Sequence, residues 1–329
     1  MLNFLFQSLR LLTINYKFSR GNNTLLIFVF HKVSNEETKY HTPLKLDTYK
    51  NLCYFISKYY NIIHFSEVEN YFSKKNSKPA AIITFDDGLI DIKKNVFPFM
   101  NKENLKFNIN IDTEILSTQL PQDFLRVYDI LNNTKIDLYF DPKYMSEPIQ
   151  VADKNHYYVE SMFTEVLSNL SRENKRDFLK RMDETLEMRK ENYYGVLSKD
   201  DLIYLSENHL VEIGSHTHSH PDLLKISDLE VKEELLVSKE ILEKLINKPV
   251  DIIAYPNGKC DSKIDEIAKS VGYKFLLKSE NRINKKIDYC NDNYFRVNQY
   301  HNSYEVALAH SFGVIDYLKK IKNGKLFNS

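Results

Sequence analysis

The stretch Ala81-Ile82-Ile83-Thr84-Phe85-Asp86-Asp87-Gly88 carries an apolar, β-branched run straight into two carboxylates and a glycine. Runs of this kind, bounded by a turn signal, read as buried strands. Two adjacent carboxylates at a strand exit repel each other unless a cation or a proton lies between them. The pair therefore predicts a partner elsewhere in the chain. Val211-Glu212-Ile213-Gly214-Ser215 reads as a second short strand and runs into His216-Thr217-His218-Ser219-His220-Pro221. His216 and His220 stand four positions apart, a spacing that brings two imidazoles to one ion. One carboxylate with two histidines is a common ligand set for Zn²⁺ and similar divalent ions, with positions left open for water and substrate. The competing reading is a solvated histidine-rich loop and an unrelated Asp-Asp turn. Their joint occurrence at two strand exits favours the ion.

The elements that must position these residues alternate between strand and helix, the pattern of an α/β fold with a parallel sheet or barrel. Strands are expected at Leu25 to Phe30, Asn61 to Phe65, Lys106 to Ile111, Asp251 to Tyr255, Tyr273 to Leu277 and Tyr294 to Asn298, besides the two above. Helices are expected at Leu46 to Tyr60, Leu89 to Asn101, Ser262 to Ser270 and Tyr304 to Ile321. Capping boxes at Ser66-x-x-Glu69, Ser198-x-x-Asp201 and Ser227-x-x-Glu230 mark further helix starts. Parallel strands aim their C-terminal ends at one rim, so the Asp pair, the His loop and the turn Tyr255-Pro256-Asn257-Gly258 should meet there. Residues 113–195 break the alternation, are rich in charge and turn helical in their second half; they read as an insertion, either a lid over the rim or a structural elaboration.

Thr84-Phe85-Asp86-Asp87-Gly88, His216-Thr217-x-x-His220 and Ile253-Ala254-Tyr255-Pro256-Asn257-Gly258 together resemble the three signature segments of the polysaccharide deacetylases, carbohydrate esterase family 4. The likeness runs from about Leu25 to about Leu318, interrupted by the insertion. It implies a distorted (β/α) barrel of about seven strands that removes N-acetyl groups from amino sugars of a surface polysaccharide or its precursor. Carried over, Asp86 is the general base, and Asp87, His216 and His220 hold one divalent ion, Zn²⁺ by preference. The backbone of Tyr255, Pro256, Asn257 and Gly258 would supply the oxyanion site. His218, between the ligands, is expected to be a plain loop residue. The apolar run Leu25 to Phe30 ends in His31-Lys32-Val33 and resembles the opening of a circularly permuted subgroup similar to poly-N-acetylglucosamine deacetylases, in which the last barrel strand comes first. That implies His31 as the acid for the leaving amine, with His301 and His310 structural. Three positions depart from the family: Phe30 replaces a Tyr, Asn257 an aromatic, and Ala254 an Arg that holds the catalytic Asp; Arg296 is the candidate substitute. The rival functions are a non-catalytic carbohydrate-binding relative, and a deformylase or deacetylase of a lipid-linked amino sugar.

The bulk properties fit. The chain has 329 residues, 43% of them hydrophobic, and 45 basic residues balance 45 acidic ones, which argues against nucleic acid as a partner. Cys53, Cys260 and Cys290 are too few and too scattered for a disulfide framework. No apolar run reaches transmembrane length, and the N-terminus lacks the features of a signal peptide, so a cytoplasmic location is expected. Leu2, Leu5, Phe6, Leu9 and Leu12 share one helical face. Residues 1–24 are thus an amphipathic segment whose first 14 positions either pack on the domain or touch a membrane surface, and residues 25–329 form the barrel with its insertion at 113–195.

Overall fold

The computed structural model describes residues 23–133, 170, 172–185, 193–290 and 292–311. The amphipathic reading of residues 1–14, much of the insertion, and the end of the expected helix beyond Ser311 lie outside the described residues.

Seven parallel strands close into a barrel. They are β1 (Thr24–Phe30), β3 (Ala80–Phe85), β4 (Phe107–Ile111), β5 (Val211–Ser215), β6 (Ile252–Ala254), β7 (Phe275–Ser279) and β9 (Asn293–Asn298), with helices between them. Around the ring the order is β1, β3, β4, β5, β6, β7, β9, and β9 pairs back onto β1. Two short strands dress the bottom: β2 (Asn61–Ile62) pairs with the start of β3, and β8 (Asn284–Lys285) runs antiparallel to the start of β1. The first strand in sequence thus sits between the last strand and the Asp-Asp strand, which is the permuted order. Ile27 pairs with Arg296 on one side and with Ile82 on the other.

Strands of such a barrel are buried on both faces, which is why β1 and β3 read as unbroken apolar runs. Alternate residues enter separate cores. Leu25, Ile27, Ala80, Ile82, Ile252, Ala254 and Tyr294 fill the barrel interior. Leu26, Phe28, Phe30, Ala81, Ile83, Phe85, Ile109, Ile213 and Val297 pack outward against the helices. Extending the two-residue period by one step past β1 and β3 makes His31 and Asp86 inward positions. The same parity turns Asn110 on β4, Gly214 on β5 and Arg296 on β9 inward.

Two expectations shift. The capping box forms two residues earlier than Ser66-x-x-Glu69: Glu67 accepts from the His64 N–H (2.8 Å) and the strand ends at Ile62. Glu212 holds the Phe65 and Ser66 N–H groups (2.8 and 3.1 Å), which removes the donors a later cap would use. The helix after Asp-Asp-Gly is a wide π turn (Ile92–Val96) before an α segment (Phe97–Lys102), not one α-helix. The boxes at Ser198 and Ser227 form as read. Among the described residues no helix is long and apolar enough to cross a membrane.

Gly214 lets β5 approach its neighbours: a Cβ there would lie 2.3 Å from Asn110 Oδ1 and 3.0 Å from Ile252. Gly214→Ala should overpack the ring at a cost of about 1–3 kcal/mol, read as a lower melting temperature by calorimetry.

Candidate active site and metal centre

A cavity of about 370 Å³ opens at the C-terminal rim, and its wall includes His31, Asp86, Asp87, His216, His220 and Arg296, with Tyr255, Asn257 and Gly258. Pro256 is buried behind the turn and does not line it.

Asp86 continues β3: its N–H donates to the Phe30 carbonyl (3.0 Å), so the backbone ladder itself fixes it beside the exit of β1. Its Oδ1 accepts from Arg296 Nη1 (2.8 Å) and from Asn110 Nδ2 (2.7 Å). Its Oδ2 lies 4.0 Å from His216 Nε2. Burial would push this carboxyl up, but the Arg296 guanidinium, with His216 and His31, holds it well below the usual carboxylate range. Arg296 is thus the cation on Asp86, reaching in from β9, while the inward position on β6 is the small Ala254.

Asp87 turns away from the strand through a left-handed backbone (φ 71°), and Gly88 follows with φ 63°. Gln122, from the start of the insertion, donates Nε2 to the Asp87 carbonyl (3.0 Å) and holds the turn. Asp87 Oδ1 stands 3.6 Å from His216 Nε2 and 3.9 Å from His220 Nε2. One ligand atom from each of the three residues falls within 4.8 Å of the others. Asp87 Oδ2 is buried with no hydrogen-bond partner. Burial, opposed by His216 and reinforced by Asp86, pushes the carboxyl up to about 7.

The histidines are held from behind. His216 Nδ1 pairs with the Ala254 carbonyl (2.7 Å), which makes it the N–H donor and leaves Nε2 as the lone-pair face towards Asp87. The loop then bends through Thr217 (φ 71°), a β-branched residue for which this region is costly. Glu234, on the helix Asp228–Ile246, accepts from the N–H groups of His218 and Ser219 (2.9 and 2.7 Å) and from the Ser219 hydroxyl (2.5 Å). Thr217 Oγ1 accepts the His220 N–H (3.1 Å). Burial and His216 depress His220 to about 3, so it is neutral and ready to ligate. His218 points elsewhere, its Nδ1 2.8 Å from Thr113 Oγ1.

These donors fit a divalent cation. An orphaned buried carboxylate oxygen, an oriented imidazole and a neutral second imidazole converge on one point, a mixed N/O set of the kind Zn²⁺ takes.

His31 is half-buried on the cavity wall. Its strand exit is gripped two residues on: Val33 N–H donates to Asp91 Oδ2 (2.6 Å), and Asn95 Nδ2 donates to the Val33 carbonyl (2.9 Å). Burial lowers the imidazole below its ordinary value, against the pull of Asp86. In the third turn, the Tyr255 N–H already serves the Leu277 carbonyl and the Gly258 N–H the Tyr255 carbonyl (3.2 and 2.8 Å). Pro256 has no N–H, so the turn's donor role narrows to Asn257, whose φ is 56°. Gly258 is sterically required, since a Cβ there would lie 2.0 Å from Ser279 Cβ.

Sequence reading missed several participants. Asn110 had a signal, since it and Asn108 are the polar residues that alternate with apolar ones along the strand Phe107–Ile111. Gln122 and Phe124, whose ring stands 5.3 Å from His220, had none, since both lie in the insertion. Glu234 is one acidic residue among many on its helix.

Ionising Asp87 in the metal-free fold costs stability as pH rises from the ordinary carboxylate range through about 7, because its folded value lies above its unfolded one. A cation removes that cost but must displace the proton below about pH 7. Added Zn²⁺ should therefore raise the melting temperature, and the increment should shrink as pH falls from 8 to about 6. An increment independent of pH would remove Asp87 from the ligand set.

Residues 189–276, which span both histidines and the Tyr255–Gly258 turn, match the polysaccharide deacetylase family. No curated protein sequence matches the chain. Among solved structures, the fold resembles the deacetylase PplD of Streptococcus pyogenes in complex with acetate, with a TM-score of 0.59 at 16% identity over 89% of this chain and 99% of that one. It also resembles the polysaccharide deacetylase BC0361 of Bacillus cereus (0.57, 18% identity, 88% and 69% covered). IcaB of Ammonifex degensii is similar in the same way (0.56, 14% identity, 88% and 98% covered). At these identities the structural likeness is one of fold, and the family match falls on the segment that carries His216, His220 and the Tyr255–Gly258 turn.

Proposed function

We propose that this protein is a divalent-metal-dependent hydrolase that removes the N-acetyl group from amino sugars of a surface polysaccharide or its precursor. The observation that carries the reading is the division of labour between two adjacent buried carboxylates. Asp86 is held ionised by Arg296, and Asp87 presents an unpartnered oxygen beside His216 and His220. The family match over residues 189–276 supports the reaction class.

A cation held by Asp87, His216 and His220, Zn²⁺ by preference, supplies Lewis acidity at the acetamide carbonyl and makes the attacking water more acidic. The chain's own groups do the rest. Asp86 takes the water's proton, and it takes it on Oδ2, because Oδ1 is occupied by Arg296 and Asn110. The Asn257 N–H faces the developing oxyanion. His31 passes a proton to the departing amine; its lowered pKa makes its protonated form a better proton donor than an ordinary imidazolium.

Three measurements test this. Asp86→Asn should abolish acetate release with metal content unchanged, whereas His216→Ala should lose both. Arg296→Met removes the charge that lowers Asp86, so the acidic limb of kcat/KM should move to higher pH; a limb that stays in place would sink Asp86 as the base. His31→Gln should slow amide hydrolysis by about 10²–10⁴-fold, the usual worth of a general acid. It should slow an activated aryl acetate far less, since that leaving group needs no proton. Release of formate from the corresponding N-formyl sugar with no release of acetate from the N-acetyl sugar would transfer the assignment to a deformylase.

A further inference from the structure

Two polar groups on the cavity wall have no part in that chemistry. Gln299 follows β9 directly, is 4% exposed, and donates its N–H to the Val29 carbonyl (2.9 Å). Its Oε1 accepts from the Ser311 hydroxyl (3.3 Å), while its Nε2 is buried without a hydrogen-bond partner. His41, on the segment after β1, stacks on Tyr128 at 4.9 Å and 13°, and its Nδ1 is also buried without a partner. A buried polar group left unpaired is costly, and a purely structural role explains neither. Both residues line the active-site cavity.

Their surroundings are preformed. Tyr194 donates its hydroxyl to the His41 carbonyl (3.0 Å), and Asn132 accepts the Tyr40 N–H and returns a bond to its carbonyl (3.0 and 3.1 Å). The insertion thus anchors the His41 segment. Burial, with His31 and Lys32 nearby, lowers His41 to about 4, so at neutral pH it is an uncharged ring with one donor and one acceptor. Beside Gln299, Tyr300 also lines the cavity, is 59% exposed, and is backed by the His301 ring at 4.2 Å. An exposed aromatic next to fixed, neutral, unsatisfied polar groups suits a pyranose: the ring covers its C–H face, and the amide and imidazole take hydroxyls.

We propose that Gln299, His41 and Tyr300 form a sugar-recognition subsite beside the metal centre that takes a neutral, hydroxyl-bearing pyranose, namely the ring carrying the reacting N-acetyl group. The identity of the reacting group rests on the deacetylase reading; the binding of the sugar does not. A site built to hydrogen-bond hydroxyls discriminates strongly against ligands that lack them.

The test compares kcat/KM on a short N-acetylglucosamine oligomer with kcat/KM on phenyl acetate, which has no hydroxyls to recognise. It is run on wild type, Gln299→Leu, His41→Phe and Tyr300→Ala, with calorimetric titration of the oligomer into each. In each variant the oligomer-to-ester ratio should fall about tenfold or more, and oligomer affinity should weaken in parallel. A ratio that does not change, or oligomer and ester rates that fall together, overturns the subsite, as does a wild type that binds no oligomer. If wild type binds the oligomer without releasing acetate and the variants lose that binding, the deacetylase reading fails and the subsite stands.

Discussion

Asp86 and Asp87 are neighbours in sequence and both are buried, at 2% and 1% exposure. Two carboxylates cannot keep their charge out of water side by side unless the fold meets each one separately. The protein meets them with different partners. Asp86 receives a guanidinium and an amide, both on Oδ1, so it stays charged with one oxygen open. Among the described residues Asp87 has two imidazoles within 4 Å and an oxygen without a hydrogen-bond partner, a place that a cation would fill. The two roles proposed for them, base and ligand, rest on a difference in what surrounds two identical side chains.

Strand parity positions most of this. A seven-strand ring turns every second residue inward, and one step past the end of a strand the inward position opens on the rim. His31 and Asp86 occupy it, and Asn110 and Arg296 are inward positions inside β4 and β9 that reach the same site. Where the parity would send a residue the wrong way, the backbone departs from it, and left-handed conformations collect there: Asp87, Thr217, His220 and Asn257. Such residues persist because the bonds around them over-determine their shape. Glu234 supplies three of those bonds for the His loop.

Much of this was legible in the chain. The Asp pair and the His loop announce themselves because apolar runs lead straight into them; the alternation of strand and helix gives a parallel sheet or barrel, and the family resemblance selects the barrel. Arg296 was readable as a candidate because it stands alone among apolar neighbours in Tyr294-Phe295-Arg296-Val297; that Asp86 is its partner depends on which strand closes the ring. The narrowing of the available N–H donors in the Tyr255–Gly258 turn to Asn257 was not legible. It follows from hydrogen bonds to Leu277 and within the turn, and nothing in the turn's composition reports them. Nor was the grip of Gln122 on Asp87, because the insertion carries no periodicity that would say where its side chains point.

Closure through β1 and β9 has a consequence for how the chain assembles. Ile27 finds Arg296 only after every other strand of the ring has been made, so the barrel's last seam joins its most distant pieces, the kind of contact that forms late. β1 can pair with β3 early, but its other edge, apolar on both faces, stays open until β9 arrives, and such edges invite association with other chains. The same event delivers the guanidinium to Asp86. Until then the Asp pair sits at the end of β3 without its cation, so the step that seals the sheet is also the step that makes burial of that charge tolerable.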